Sequence, residues 1–168
     1  MELSVVVPTL NARDELAGCL DALGEHVPGA EVIVVNGPSA DGTTGMVQER
    51  DDVDCLVELA DRTINAARNA GINRADGDVV AFVHHTRRVD AGWEAAVRDG
   101  LEEADVVTGP THTHLRAGVS TEEVERTTIA GRDVTYFNSG NAAFRREPLD
   151  ELDGFDEYLE LGGARDMA

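Results

Sequence analysis

Lysine is absent from this 168-residue chain: all 14 of its cationic side chains are arginine, set against 33 aspartates and glutamates. A formal net charge of −19 without a basic stripe excludes nucleic acid as a partner, because a polyanion needs clustered cations. Long hydrophobic runs are missing too. The longest, Val32–Val35 and Asp78–Val83, fall far short of the roughly 18 residues that a membrane span requires, so the chain is not expected to cross a membrane by itself. The start, Met1-Glu2-Leu3-Ser4, lacks a basic n-region, and its apolar run ends at Pro8 after a strand's length, so no signal peptide is expected. The only cysteines, Cys19 and Cys55, sit in apolar patterns that read as buried free thiols, which suits a reducing compartment. Also missing are G-x-G-x-x-G, G-x-x-x-x-G-K-[ST], G-x-S-x-G and C-x-x-C, so dinucleotide, P-loop, serine hydrolase and thiol redox readings lack their anchors.

What the chain has in abundance is carboxylate. Such an excess keeps a protein hydrated in multimolar salt, where a Debye length of roughly 3 Å screens the self-repulsion that dilute buffer leaves in force. The composition reads as a halophile's surface, with an ordinary acidic domain as the alternative.

At this length one domain with one core is expected. Ser4–Pro8, dense in Val, suits a central parallel strand covered on both faces. Asn11 reads as a cap for a helix whose Leu16, Cys19, Leu20 and Leu23 share one face. Further strands are expected over Glu31–Val35, Asp54–Leu59, Asp78–Val83 and Ala104–Thr108. Helices are expected over Thr43–Arg50, after Thr63 with small residues Ala66, Ala67, Ala70 and Gly71 on one side, and after Asp90 with Trp93, Ala96, Val97 and Leu101 aligned. Strand and helix alternate four times, which implies an α/β, doubly wound, mostly parallel sheet with helices on both faces. Ligands of such sheets sit beyond the carboxyl ends of the strands, so the loops after Val7, Val35, Leu59, Val83 and Thr108 are the ones to read for chemistry. From Pro110 to Val134 the chain turns polar and Thr-rich, with one weak helix expected over Thr121–Thr128.

Five segments occur in order: VVVPTLNARDELAGCLDAL, EVIVVNGPSADGT, NAARNAGINRADGDVVAFV, GNAAFRRE and LDGFDE. Together, over nearly the whole chain, they resemble the family 2 glycosyltransferases of GT-A fold, in a haloarchaeal-type version. The resemblance implies a donor half at about residues 1–109 and an acceptor half at about 110–168. It implies a nucleoside diphosphate sugar as donor, a lipid-linked or glycan acceptor, and an inverting transfer in the cytoplasm or at the cytoplasmic face of a membrane, with peripheral contact.

The same resemblance distributes roles. Pro8, Thr9, Leu10 and Asn11 offer a fixed turn, a hydroxyl, an apolar surface and an amide to base and ribose, Asn11 reading equally as a simple helix cap. Asn36 and Gly37 stand where the family usually has two Asp; the amide can still meet a base edge, while the second carboxylate is gone. Asp41-Gly42-Thr43 reads as the turn and cap of the next helix. Arg68 matches the family's nucleotide-contacting Arg, the alternative being a solvated helix arginine.

After strand four the family's Asp-x-Asp holds a divalent cation; here His84-His85-Thr86-Arg87-Arg88 stands in its place, so no cofactor is firmly expected. The arginines with protonated imidazoles would neutralise a diphosphate directly. A histidine metal site of His84, His85, His112 and His114 is the lesser alternative, adjacent residues such as His84 and His85 being expected to point apart. Asn138, Gly140 and Asn141 fall on the acceptor side. Asp166 falls on the family's general base if Arg165 stands for its Glu, and the chain is expected to be truncated before the helix that normally follows.

Overall fold

In the computed structural model, residues 1–109 and 139–157 are described, together with the backbone alone of the strand residues 111–114, 120–123, 126–129 and 132–135. The valine runs form the middle of a six-stranded sheet. Its strands are β1 (Leu3–Thr9), β2 (Glu31–Asn36), β3 (Cys55–Glu58), β4 (Val79–Val83), β5 (Val106–Thr108) and a late strand, Asn141–Arg145, which is β10 in chain order. Their order is β3-β2-β1-β4-β10-β5. The pairs β1–β2, β1–β4 and β2–β3 are parallel, and β10 runs antiparallel to both β4 and β5.

Helices cover both faces: α1 (Arg13–His26), α2 (Thr43–Gln48), α3 (Ile64–Arg74), α4 (Trp93–Glu103) and α5 (Arg146–Glu151). Alternation along β1 explains why. Val5 and Val7 join Leu16, Leu20 and Leu23 of α1 in one core, while Val6 joins Ile33, Ala67, Ile72 and Phe82 in the other. All three valines are fully buried, so each side chain stabilises by about 2 kcal/mol, Val5 and Val7 from one face and Val6 from the other. α3 lies close on the sheet because a Cβ at Gly71 would come within 2.3 Å of Val6 Cγ1. The expected small-residue face is therefore real, centred on Ala67 and Gly71.

Three expectations are corrected. The weak helix over Thr121–Thr128 is absent: β7 (Ser120–Glu123) pairs with β6 (Thr111–His114), and β8 (Arg126–Ile129) with β9 (Arg132–Thr135). The β-branched threonines of that stretch suit strands. Second, the sheet holds a strand beyond those expected, because the chain returns to insert Ala142, Ala143 and Phe144 of β10 between β4 and β5. Third, the helix starts are displaced: α1 begins after Ala12 with no side-chain cap from Asn11, and α4 begins after Gly92, whose N–H Asp90 Oδ1 accepts at 3.0 Å in the turn just ahead of the helix. Among the described residues, no helix is long and apolar enough to cross a membrane.

Candidate active site

The parallel register places Thr9 beside Asn36 at the carboxyl ends of β1 and β2, and His84 follows β4 at the same end of the sheet. The loops after β1 and β2 are stitched together before any ligand arrives. Asn11, at a positive φ of 49°, donates its N–H to Ser39 Oγ at 2.8 Å and accepts from Ala40 N at 2.8 Å. It is thus a loop staple rather than a helix cap, since an Asn in the left-handed region turns its amide across to the neighbouring loop. Asp41 does the capping: one oxygen accepts from Thr43 N at 3.1 Å, and the other reaches Arg13 N, at the start of α1, at 3.0 Å. Those bonds hold its carboxyl below the usual range against the opposing effect of burial.

Asn36 is fully buried, with Nδ2 on Thr44 Oγ1 at 2.9 Å and Oδ1 accepting from Ser39 Oγ at 2.6 Å. Gly37 N–H goes to the Thr9 carbonyl at 2.9 Å. These two expected donor residues therefore brace the loop, and their polar groups face protein. Pro8 and Leu10 are buried, with the Pro8 carbonyl 3.3 Å from His85 Nδ1. Thr9 differs. Its hydroxyl is buried and has no hydrogen-bond partner.

Arg68 rises from α3 toward this end. Its guanidinium lies 5.3 Å from the centroid of the Phe155 ring and 6.0 Å from that of Phe82, donates to Asn65 Oδ1 at 3.0 Å and to the Ser139 carbonyl at 3.2 Å, and has no carboxylate partner among the described residues. Burial brings its pKa down to about 10, so it keeps its charge at neutral pH. His84 and His85 do not point apart: their rings stack at 4.2 Å between centroids with a 33° tilt, because the chain leaves the strand in a turn where residue alternation lapses. His84 Nδ1 lies 2.8 Å from the hydroxyl of Thr86.

Burial, then the charges of His85, Arg87 and Arg68, push His84 down to about 4; burial also lowers His85, against the Pro8 carbonyl and Glu15. Both rings are neutral at pH 7. This corrects the expected protonated clamp, because a desolvated imidazole beside guanidiniums sheds its proton.

On the acceptor side, the Gly140 carbonyl takes the His84 N–H at 3.0 Å. Asn141 Oδ1 accepts from Trp93 Nε1 at 2.8 Å, which turns that oxygen onto α4. Asn138, Asp166 and the side chains of His112 and His114 lie outside the described residues. Cys19 is buried as expected, but Cys55 is only half-buried, its Sγ accepting from Arg74 Nε at 3.1 Å.

Sequence reasoning missed Asn65 and Asn69. Asn69 clasps the backbone of Phe155, giving Nδ2 to its carbonyl and taking its N–H, both at 2.8 Å, while Asn65 Nδ2 donates to the Asp156 carbonyl at 2.9 Å. The signal was present as Asn-x-x-Arg-Asn, which sets two amides and Arg68 along one helix face. A docked turn carrying Phe155 is what that face holds.

The sequence model of glycosyl transferase family 2 matches residues 4–153. The chain belongs to that family. It is similar to Glycosyltransferase AglE of Haloferax volcanii, 29% identical over 181 residues that cover 96% of this chain and 58% of that protein. Among solved structures it resembles S. aureus TarS 1-349 in complex with UDP-GlcNAc, with a TM-score of 0.74 at 22% identity over 96% of this chain and 50% of that one. It also resembles the mannosyltransferase PcManGT from Pyrobaculum calidifontis in complex with GDP-Man and Mn²⁺, with a TM-score of 0.73 at 22% identity over 99% and 50%. The fold is that of the GT-A glycosyltransferases. The chain spans about half the length of what it matches, at 58% of AglE and 50% each of the TarS 1-349 and PcManGT chains.

The family's usual cation does not fit the residues present. A hard divalent ion wants carboxylate and water oxygens. The structure offers two stacked imidazoles, each with Nδ1 already near a partner, and a threonine. Among the described residues, no three His, Cys, Asp or Glu side chains gather to hold a metal.

Proposed function

We propose that this domain transfers a sugar, with inversion, from a nucleoside diphosphate donor to a lipid-linked or glycan acceptor. The observation that carries the reading is the presence, at one end of the sheet, of an unpartnered buried hydroxyl and a partly desolvated guanidinium that has no carboxylate partner among the described residues. Phosphate and ribose oxygens are the groups that complete such donors. The sugar nucleotides bound by TarS and PcManGT on the same fold support it.

In this reading the acceptor hydroxyl attacks the anomeric carbon opposite the diphosphate, a base takes its proton, and the nucleoside diphosphate leaves with the bonding electron pair. Arg68 offsets the charge that grows on the leaving group. Asp166 is the base, supported by its place beyond the Gly154-Phe155-Asp156-Glu157 turn. Two free thiols support a cytoplasmic setting, at a membrane face where the acceptor is lipid-linked. The carboxylate excess supports a salt-rich one.

A second reading, a donor-binding domain without turnover, is favoured by one observation: His84-His85-Thr86 stands where the family's acidic pair would be. Incubation with UDP- and GDP-hexoses in about 2 M KCl, following nucleoside diphosphate release, separates the two. Release from at least one donor is expected. Binding without release selects the second reading, and neither binding nor release overturns both.

A further inference from the structure

In a chain with 33 carboxylates and 14 arginines, a half-buried guanidinium normally finds an ion pair. Arg50, Arg98, Arg145 and Arg146 do, each within 4 Å of an Asp or Glu. Among the described residues, Arg68 and Arg87 are the half-buried arginines that do not.

Arg87 goes further. Only two buried side-chain polar atoms of the described residues lack a hydrogen-bond partner, and they are Thr9 Oγ1 and Arg87 Nε. Thr9 ends β1 and Arg87 lies in the turn after the neighbouring strand β4, and the two segments are joined where His85 Nδ1 meets the Pro8 carbonyl. A turn closed by Arg87 N–H on the His84 carbonyl, at 2.8 Å, ties Arg87 to His84, whose own N–H is held by the Gly140 carbonyl, next to the Ser139 carbonyl that takes Arg68 Nη2. A buried N–H of a charged group is costly to leave unmade, so its persistence points to a ligand that completes it.

We propose that Arg87, together with Arg68, binds the donor's diphosphate directly and takes the place of the divalent cation. The proposal rests on the donor reading above. Two guanidiniums carry the same formal charge as one divalent ion, and their planar forks match phosphate oxygens.

Calorimetric titration of the intact chain with UDP, GDP and their monophosphates, in about 2 M KCl with either EDTA or Mn²⁺, tests this. Diphosphate affinity equal within about twofold in the two buffers is expected. Arg87→Gln should weaken diphosphate binding by about ten- to a hundredfold, the scale of a lost charge-assisted bond, and monophosphate binding by less than about threefold. Arg87→Lys, which keeps the charge and loses the buried Nε–H, should fall between. Binding that appears only with Mn²⁺, or an unchanged Arg87→Gln, overturns the proposal and leaves the donor reading standing. No nucleotide binding in either buffer overturns both, and the wild-type arms decide the matter even where a variant fails to fold.

Discussion

Arg68 and His84 are held by consecutive carbonyls: Arg68 Nη2 donates to Ser139 at 3.2 Å and the His84 N–H to Gly140 at 3.0 Å. One short turn ahead of β10 thereby fixes a guanidinium from α3 and an imidazole from the end of β4 at the same mouth of the sheet. The late strand, far away in sequence, is what completes this end of the sheet.

The docking of the 154–157 turn gives the first prediction. Asn69→Ala removes two bonds to the Phe155 backbone and one to Glu157, so it should destabilise the domain by about 2–3 kcal/mol, read by urea unfolding. Faster amide exchange at Phe155 should accompany the loss. An unchanged midpoint would mean that Phe155 is held by its aromatic contacts alone.

Close packing gives the second. Gly71→Ala places a methyl within 2.3 Å of Val6 Cγ1, forcing α3 off the sheet at a cost of about 1–3 kcal/mol. The more helix-prone Ala would otherwise stabilise by up to about 1 kcal/mol, so the sign of the change decides.

Much of this was legible in the sequence. Val-rich runs separated by helical periodicities fix β1, β2, β4 and α1, because local pattern and burial agree there. The insertion of β10 between β4 and β5 was not legible, since strand order depends on contacts far apart in sequence. Asn36 and Asn11 look like ligand groups in a motif, yet their amides are consumed by Ser39, Ala40 and Thr44. A residue type shows capacity to hydrogen-bond, and only the neighbouring loop shows whether that capacity is spent.

Acid gives the third prediction. His84 is neutral in the fold down to about pH 4 but protonates in the unfolded chain near its ordinary 6.5. Its folded pKa is depressed, so the unfolded state binds the extra proton between those values, and stability falls as pH drops from about 6.5 to 4. With the ring partly exposed, the loss expected is about 1 kcal/mol. Urea melts at pH 7.5 and 4.5 should show a smaller drop in His84→Gln than in the parent; equal drops would contradict it.

Salt gives the fourth. With 33 acids and 14 cations, the fold should loosen at about 50 mM KCl and recover above about 1 M, where screening acts at residue spacing. Circular dichroism across a KCl series reads it. Equal folding at both ends would remove the halophile reading.

The proposed base gives the fifth. Asp166→Asn should lower turnover by roughly two to four orders of magnitude, the usual scale for loss of a general base, with donor affinity little changed. Unchanged turnover would take Asp166 out of the mechanism.

The most direct test of a donor at this end of the sheet is Thr9→Val, judged by folding and binding together. The Thr9 hydroxyl is fully buried without a partner, so an isosteric methyl should leave stability unchanged or raise it by about 1 kcal/mol. The same change should weaken nucleoside diphosphate binding by about tenfold, because the hydroxyl's partner is the donor. Equal or greater stability with weakened binding is the result expected. Full affinity in Thr9→Val would contradict the account, since the one buried hydroxyl without a partner among the described residues would then have no ligand to meet.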